Sequence, residues 1–484
     1  MCAERKTSNS QAARLEPAKD AEVQPRAGTR QKAPRGADGK TALVWVLFAA
    51  LAVMTLSGVG TIGIVSVLGL VLCGVGMSQS TARIDWWVLV PLAVYVGMNL
   101  VSSLVTFQDV VNGYGGVQLI YVSMYALSCC LDEWAARRLR QLCVLWAGIA
   151  AALGIVGFAA SSFFVSVTRL AFVVGAPNAL GIFLVLGWFA LLTCRLDEGA
   201  DDRLTRIIGR LEPVLLVAMT LTLSMGAFVA LLVGIVVFLA GRLRTHGWRE
   251  VVGDAFVLVS KIATCIIVGL LTYMAAERAA VPVLCAVLVA YVGAMACTWP
   301  RFGEFLREHA MATKAIAIVG LLSVPFAIVM RPTSLATFAE RIHMMGNGIG
   351  YLGNNPVTGV GPGQWRQLNL HDADTYFNTN HIHNLFIHAG VEFGIIAMIA
   401  LVVVAVRCFV KRYRQAQHGE DAAFLTHVMM DTGFFYLGVT GMLMLTANGS
   451  TSPAKELSKR GTRALFAALG LAHLAILVTY LAMY

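Results

Sequence analysis

The sequence predicts an all-α polytopic bundle of about fourteen transmembrane helices with one long extracytoplasmic loop, residues 331–388. Three observations predict it. Of 484 residues, 58% are hydrophobic and only 13% are charged, against about 25% in soluble chains. Thirteen apolar runs approach the ~20 residues that a membrane-crossing helix needs. The Lys and Arg residues gather in the connections between those runs, so the net charge of +10 reads as membrane topology. No basic patch is interleaved with aromatics or carried on a nucleic-acid-reading motif, and a nucleic-acid partner is not expected.

Residues 1–40 are too polar to bury a core and are expected to form a disordered, basic, cytoplasmic tail with nine Lys or Arg. The first apolar run, from Thr41, continues too long for a signal-peptide core. Residues 41–484 then form the transmembrane domain. Runs fall near 42–57, 59–77, 86–105, 117–131, 141–160, 176–193, 213–240, 255–275, 281–299, 315–330, 389–406, 425–446 and 464–484. The run 213–240 is read as two short helices broken at Thr222-Leu-Ser-Met-Gly226, because the arginine-rich loops on both sides of it should share the cytoplasmic face. With fourteen helices, Arg137, Arg138 and Arg140, then Arg301, Arg307 and Lys314, then Arg407, Lys411, Arg412 and Arg414 also fall inside, and both termini are expected in the cytoplasm. One loop disagrees. Lys455, Lys459, Arg460 and Arg463 fall outside, so either that loop meets anionic phosphates there or the parity fails at the C-terminus.

Ten cysteines lie in apolar segments or beside basic loops with no CxxC pair, which speaks against a disulfide framework or a zinc ribbon. Ionisable residues within runs draw suspicion. Asp254 and Lys261, seven apart, share a helical face and either pair or belong to an interfacial segment facing water. Asp431 is read as marking the inner end of its run, and His388 as structural.

Residues 331–388 contain Trp365, Tyr376 and Phe377 and are expected to be ordered and functional. Arg341 precedes Pro356 by fifteen residues, and Pro356-Val-Thr-Gly-Val-Gly-Pro-Gly-Gln-Trp365 is a glycine-rich turn. His381-Ile-His383-Asn384 opens the next run. Upstream stands Arg169-Leu-Ala-Phe-Val-Val-Gly-Ala-Pro-Asn178. In this order, the three stretches resemble the O-antigen ligase and polymerase superfamily over residues 160–406. The chain departs from the family pattern at Met225, where an arginine is usual, at Met345 for a tryptophan, and at Phe172 for a glycine. It also carries two additional helices, 255–275 and 281–299.

The resemblance implies an inverting transferase that moves or polymerises an oligosaccharide on the outer side of a cytoplasmic membrane. Chemistry alone leads to the same requirements. Nucleotide sugars and ATP are absent outside, so the donor must arrive activated, as on an undecaprenyl-pyrophosphate-type lipid, and no cofactor is needed. Arg341 would hold the pyrophosphate in its bidentate fork, and Arg169 would supply the second cation that Met225 does not. His383 would take the acceptor hydroxyl's proton, beside Asn178, Asn384, His381 and the Gly361 amide as substrate contacts. Bland alternatives stand beside these: His383 as a helix cap, Arg341 as an interfacial anchor near Glu340, and Gly346–Gly363 as turn-formers. His371, Asp372, Asp374, His381 and His383 have loop-like spacing, so no metal is expected. Ligase and polymerase share these elements, leaving the glycan, lipid or protein acceptor open. The rival reading is a flippase or exporter of lipid-linked glycans.

Overall fold

The computed structural model describes residues 37–107, 114–165, 169–172, 174–196, 203–278, 281–330, 334–371, 377, 379–414, 419–447 and 455–483. Residues from Gly39 onward form a single compact unit. Residues 1–36 of the tail and residues 372–376, with Asp372 and Asp374 of the metal reading, lie outside the described residues.

The fold is an all-α bundle. Its first half comprises α1 (Ala37–Leu56), α2 (Ile62–Ser78), the short strand β1 (Ala82–Ile84), α3 (Trp86–Val105), α4 (Tyr114–Ser128), α5 (Glu133–Ser161), α6 (Pro177–Leu196) and α7 (Arg203–Gly209). Then come α8 (Glu212–Leu221), α9 (Met225–Leu243), α10 (Trp248–Tyr273), α11 (Pro282–Glu308), α12 (Ala310–Met330), α13 (Ser334–Asn354) and α14 (Gln364–His371). The chain closes with α15 (Leu385–Phe393), α16 (Ile395–Arg414), α17 (Gly419–Val428), α18 (Leu437–Ala447), strand β2 (Lys455–Leu457) and α19 (Lys459–Met483). Among the described residues, eight helices are long and apolar enough to cross a membrane, and five more are apolar but shorter.

The expected break in the run 213–240 lies between α8 and α9. Ser224 caps α9 by accepting a hydrogen bond from the Ala227 amide at 3.3 Å, satisfying a donor that the helix start leaves open. The two additional helices are present as α10 and α11. Lys261 does not pair with Asp254. It turns inward to Glu212 at 3.3 Å, which also meets Arg195 at 2.7 Å and Trp299 Nε1 at 2.6 Å, while exposed Asp254 pairs with Arg242 at 2.9 Å. A fully buried carboxylate demands such partners, and Glu212 outcompetes water for the lysine.

The run 425–446 departs from expectation, because it is not one helix. α17 runs antiparallel to α9: Gly419 meets Gly234, so closely that a Cβ would lie 1.9 Å from the Gly234 carbonyl oxygen, and His427 faces Gly226. Small residues let helices cross at this distance. The chain turns at Met429–Tyr436, and α18 returns from the Leu437 amide on Gly58 O, 2.9 Å, to Thr446 O on Arg140 Nε, 3.1 Å. At the base of the hairpin the Thr446 hydroxyl bonds to Glu420.

The next segment therefore lies at the Arg140 end of the bundle. β2 pairs antiparallel with β1, Ala82 opposite Leu457, and the Arg463 Nε donates to Met77 O at 3.3 Å. Asp85, which caps α3 beside β1, holds Arg407 at 2.9 Å. Lys455, Lys459, Arg460 and Arg463 thus share one end with Arg140 and Arg407, because the single run 425–446 is two half-length helices that return the chain to that end.

Candidate active site

The segment expected as a long loop is largely helical. Its glycines divide: Gly346, Gly348, Gly350 and Gly353 lie within α13, and only the later ones form the turn. α13 is two-faced. Phe338, Ile342 and Ile349 are exposed, whereas Arg341, Met344 and Gly348 face the protein. Gly348 packs closely: a Cβ there would stand 2.7 Å from the tip of the Ile382 side chain, which would have to shift. Met344, Trp365, Ile382 and Val391 form a second small core, packed by Met345, Tyr351 and Phe377.

The glycine-rich turn is tied by its backbone to the joint between α15 and α16. Val360 N donates to Val391 O at 2.8 Å, Gly361 N to Glu392 O at 3.1 Å, and Ile395 N to Pro356 O at 2.8 Å. The Gly361 amide is therefore occupied within the protein, and its expected role as a substrate contact is replaced by one in packing. Buried Glu392 also accepts from Trp365 N at 3.3 Å and lies 3.4 Å from His388. The effect is to fix where α15 ends; its beginning is set separately.

That beginning is Asn384. Its Oδ1 accepts from the Phe386 and Ile387 amides, both at 3.1 Å, and its Nδ2 donates to Met429 O at 3.2 Å. Asn384 is thus the helix cap, the role weighed for His383: its oxygen is taken by two amides and its nitrogen by Met429 O and, at 3.9 Å, the Met345 sulfur. His381 is likewise turned inward, its ring centroid 4.3 Å from Phe435 and 5.2 Å from His388. Burial, with the nearby His383, pushes the His381 imidazole down to about 4, so it stays neutral near pH 7.

The residues that do converge meet at Asp431, in the tip of the α17–α18 hairpin. Its Oδ2 accepts from Arg341 Nη2 at 3.0 Å and from Asn178 Nδ2 at 2.7 Å. Its Oδ1 accepts from the Thr432 amide at 2.8 Å and faces His383 Nδ1 at 3.6 Å. Arg341 Nη1 adds a bond to Met430 O at 2.5 Å. Asn178 in turn accepts from Arg169 Nη2 at 2.5 Å, while Arg169 Nε donates to Thr222 O at 2.9 Å. The hairpin tip thus joins the Arg169 segment, the α8–α9 break, α13 and the His-Asn segment.

Burial alone would raise the Asp431 carboxyl, but His383, His427 and the Arg341 guanidinium outweigh it and hold the group well below the usual carboxylate range. It remains ionised. The His383 side chain is 20% exposed and that of Asp431 3%, so the imidazole has one nitrogen toward the acid and its other edge toward the open side. The 3.6 Å separation exceeds a hydrogen bond and is a distance that tightens when a proton moves. The guanidiniums of Arg341, on Asp431, and of Arg169, on Asn178, outnumber the one carboxylate, a positive balance suited to a phosphate-bearing ligand.

Asp431 was missed as a functional residue. The one signal available was its being an acid within an apolar run. Lys455, Lys459 and Arg460, whose loop was the candidate for meeting anionic phosphates, lie at the opposite end of the hairpin. No group of three or more metal-ligating side chains converges among the described residues. Residues 214–402 match the family model described as O-antigen ligase, an interval that contains Arg341, the glycine-rich turn and His383 but not Arg169, Asn178 or Asp431. No curated protein matches the chain at a significant level.

Proposed function

We propose, for a chain whose O-antigen ligase domain puts it in the O-antigen ligase and polymerase superfamily, that it transfers a glycan from a prenyl-pyrophosphate lipid to an acceptor hydroxyl outside the cytoplasmic membrane. The observation that carries this reading is the convergence of His383, Arg341 and Asn178 on Asp431, with Arg169 joined to it through Asn178. His383 is the base. With Asp431 drawn from 3.6 Å to hydrogen-bonding distance of Nδ1, Nε2 takes the hydroxyl proton as the acceptor oxygen attacks the anomeric carbon. The new C–O bond forms as the bond to the pyrophosphate breaks, inverting the carbon, and the pyrophosphate leaves with the electron pair. Asp431 stabilises the imidazolium without taking its proton, the arrangement that lets an acid–histidine pair act as a base.

Arg169, half-buried beside Asn178 and Thr222, supplies the second cation expected at the phosphate, and buried Arg341 binds the hairpin tip through both terminal nitrogens. Arg341 keeps the acid in place and adds charge to the field that favours a departing anion. The basic end, with Arg140, Arg407 and Lys455–Arg463, is the cytoplasmic one by the positive-inside rule. The Asp431 end is then extracytoplasmic, and α19 leads the C-terminus outward, reversing the expected cytoplasmic C-terminus.

The test is transfer by the purified protein in nanodiscs, supplied with a glycan on prenyl pyrophosphate and a sugar acceptor. A new glycosidic bond of inverted configuration together with free prenyl pyrophosphate is expected. Movement of the intact lipid-linked glycan across a proteoliposome membrane, with no bond formed, would favour a flippase.

A further inference from the structure

α13 has three faces, and the protein covers one of them. At 3.6 residues per turn, Arg341, Met344 and Gly348 share the buried face. Phe338, Ile342 and Ile349 fall on the flank to one side of it and are exposed; Glu340, His343 and Asn354, also exposed, fall on the other. Both ends of the helix meet apolar faces of the kind that lipid covers. α12, which ends at Met330, four positions before α13 begins, exposes Ile318, Val319, Leu321 and Leu322. At the other end, Pro356 O in the glycine-rich turn accepts from Ile395 N at 2.8 Å. Beside that bond Val357 of the turn and Ile395, Ile396 and Ile399 of α16 are exposed.

The height of this joint follows from α16. The basic stretch from Lys411 to Arg414 marks the cytoplasmic end of that helix. Ile395 lies sixteen residues before Lys411, about 24 Å at 1.5 Å per residue, short of the ~30 Å hydrocarbon core. The turn bound there is therefore at membrane depth. Irregular backbone is tolerated at that depth only where the protein itself satisfies its polar groups. The turn meets that demand: the amides of Gly359, Val360, Gly361 and Gln364 donate to Asn355 O, Val391 O, Glu392 O and Gly361 O. We propose that α13 lies in the acyl–headgroup boundary of the outer leaflet, with Phe338, Ile342, Ile349 and Val357 against phospholipid tails and Glu340, His343 and Asn354 toward headgroups and water. The inference rests on the extracytoplasmic placement of the Asp431 end given above. An interfacial helix sinks its apolar side about 5–10 Å into that boundary, so Arg341, on the third face, meets Asp431 at the level of the lipid headgroups.

The test uses single cysteines in the full chain, with the native cysteines replaced, labelled with bimane and reconstituted in nanodiscs. At Ile342, Ile349 and Val357 the fluorescence should be quenched at least twofold more by phosphatidylcholine brominated on its acyl tails than by aqueous iodide. At His343 and Asn354 the order should reverse. On the unmodified chain, phosphatidylcholine with a diazirine in its tail should photolabel the peptide from Phe338 to Val357. Iodide quenching alike at all these positions, with no photolabel there, would put α13 in water and overturn the proposal. Shielding of the apolar flank from both quenchers would show a second copy of the chain covering it, and would overturn the proposal as well. The quenchers need no glycan, so the expected pattern in a protein that transfers nothing would refute the transfer reading alone.

Discussion

Asp431 Oδ1 stands 3.6 Å from His383 Nδ1, while the other oxygen of the same carboxylate binds Arg341 at 3.0 Å. One acid therefore serves a candidate base and a candidate phosphate-side cation, and its position depends on the α17–α18 hairpin reaching the site. Geometry of this kind separates orienting a base from neutralising a charge.

Asp431→Asn retains the shape but loses the charge. The amide can leave His383 in the wrong tautomer, an effect worth up to about 10⁴-fold in an acid–histidine pair, and it leaves the buried Arg341 without its counter-charge, which costs about 3–5 kcal/mol. A fall in kcat of a hundredfold or more, with a lowered melting temperature, is expected; steady-state transfer and thermal unfolding check it. Wild-type kcat would remove Asp431 from the mechanism.

Arginine-to-lysine exchange is expected to act differently at the two positions. Arg341 divides its fork between Met430 O and Asp431, which one ammonium does not reproduce, so Arg341→Lys should lower kcat and thermal stability together. Arg169→Lys should chiefly raise the KM for the lipid-linked donor, by about tenfold. Measuring both parameters is essential, because loss of activity alone no longer distinguishes a phosphate clamp from a structural fork.

Two further changes are expected to act through structure. Asn384→Ala removes a helix cap, worth about 1 kcal/mol, and the tie to Met429. Gly394→Ala is far worse: the residue has φ +88° and its Cβ would lie 1.9 Å from Val357 O, detaching the glycine-rich turn from α15. Thermal unfolding in detergent should show a small shift for the first variant and little folded protein for the second.

Much of this site was legible in the sequence, and the reason is local. Arg169, Asn178, Arg341 and His383 stand in short motifs whose spacing survives without knowledge of the fold, and the Ser224 break follows from charge on either side of it. The hairpin was not legible. Hydropathy adds two half-length helices of equal apolarity into one apparent span, so Asp431 at the tip reads as an inner boundary and the Lys455–Arg463 segment lands on the wrong end. The glycines of α13 read as turn-formers because each carries a cost in a helix; Gly348 alone of the four is packed closely, against Ile382, while Gly346, Gly350 and Gly353 face open space.

Topology is expected to follow the hairpin. In a background with the native cysteines replaced, a cysteine at Met225 or Met483 should react with a membrane-impermeant thiol reagent from outside, and one at Ser458 only after permeabilisation. The reverse pattern for 458 and 483 would return the C-terminus to the cytoplasm and put Lys455–Arg463 outside.

The account stands most directly on glycan transfer by His383→Ala, assayed beside wild type in the same nanodiscs at matched folded protein. A positioned base contributes ~10²–10⁴-fold, so transfer from the prenyl-pyrophosphate donor should fall at least a hundredfold with donor KM little changed. Transfer within a few-fold of wild type would contradict the assignment of His383 as the base that Asp431 holds.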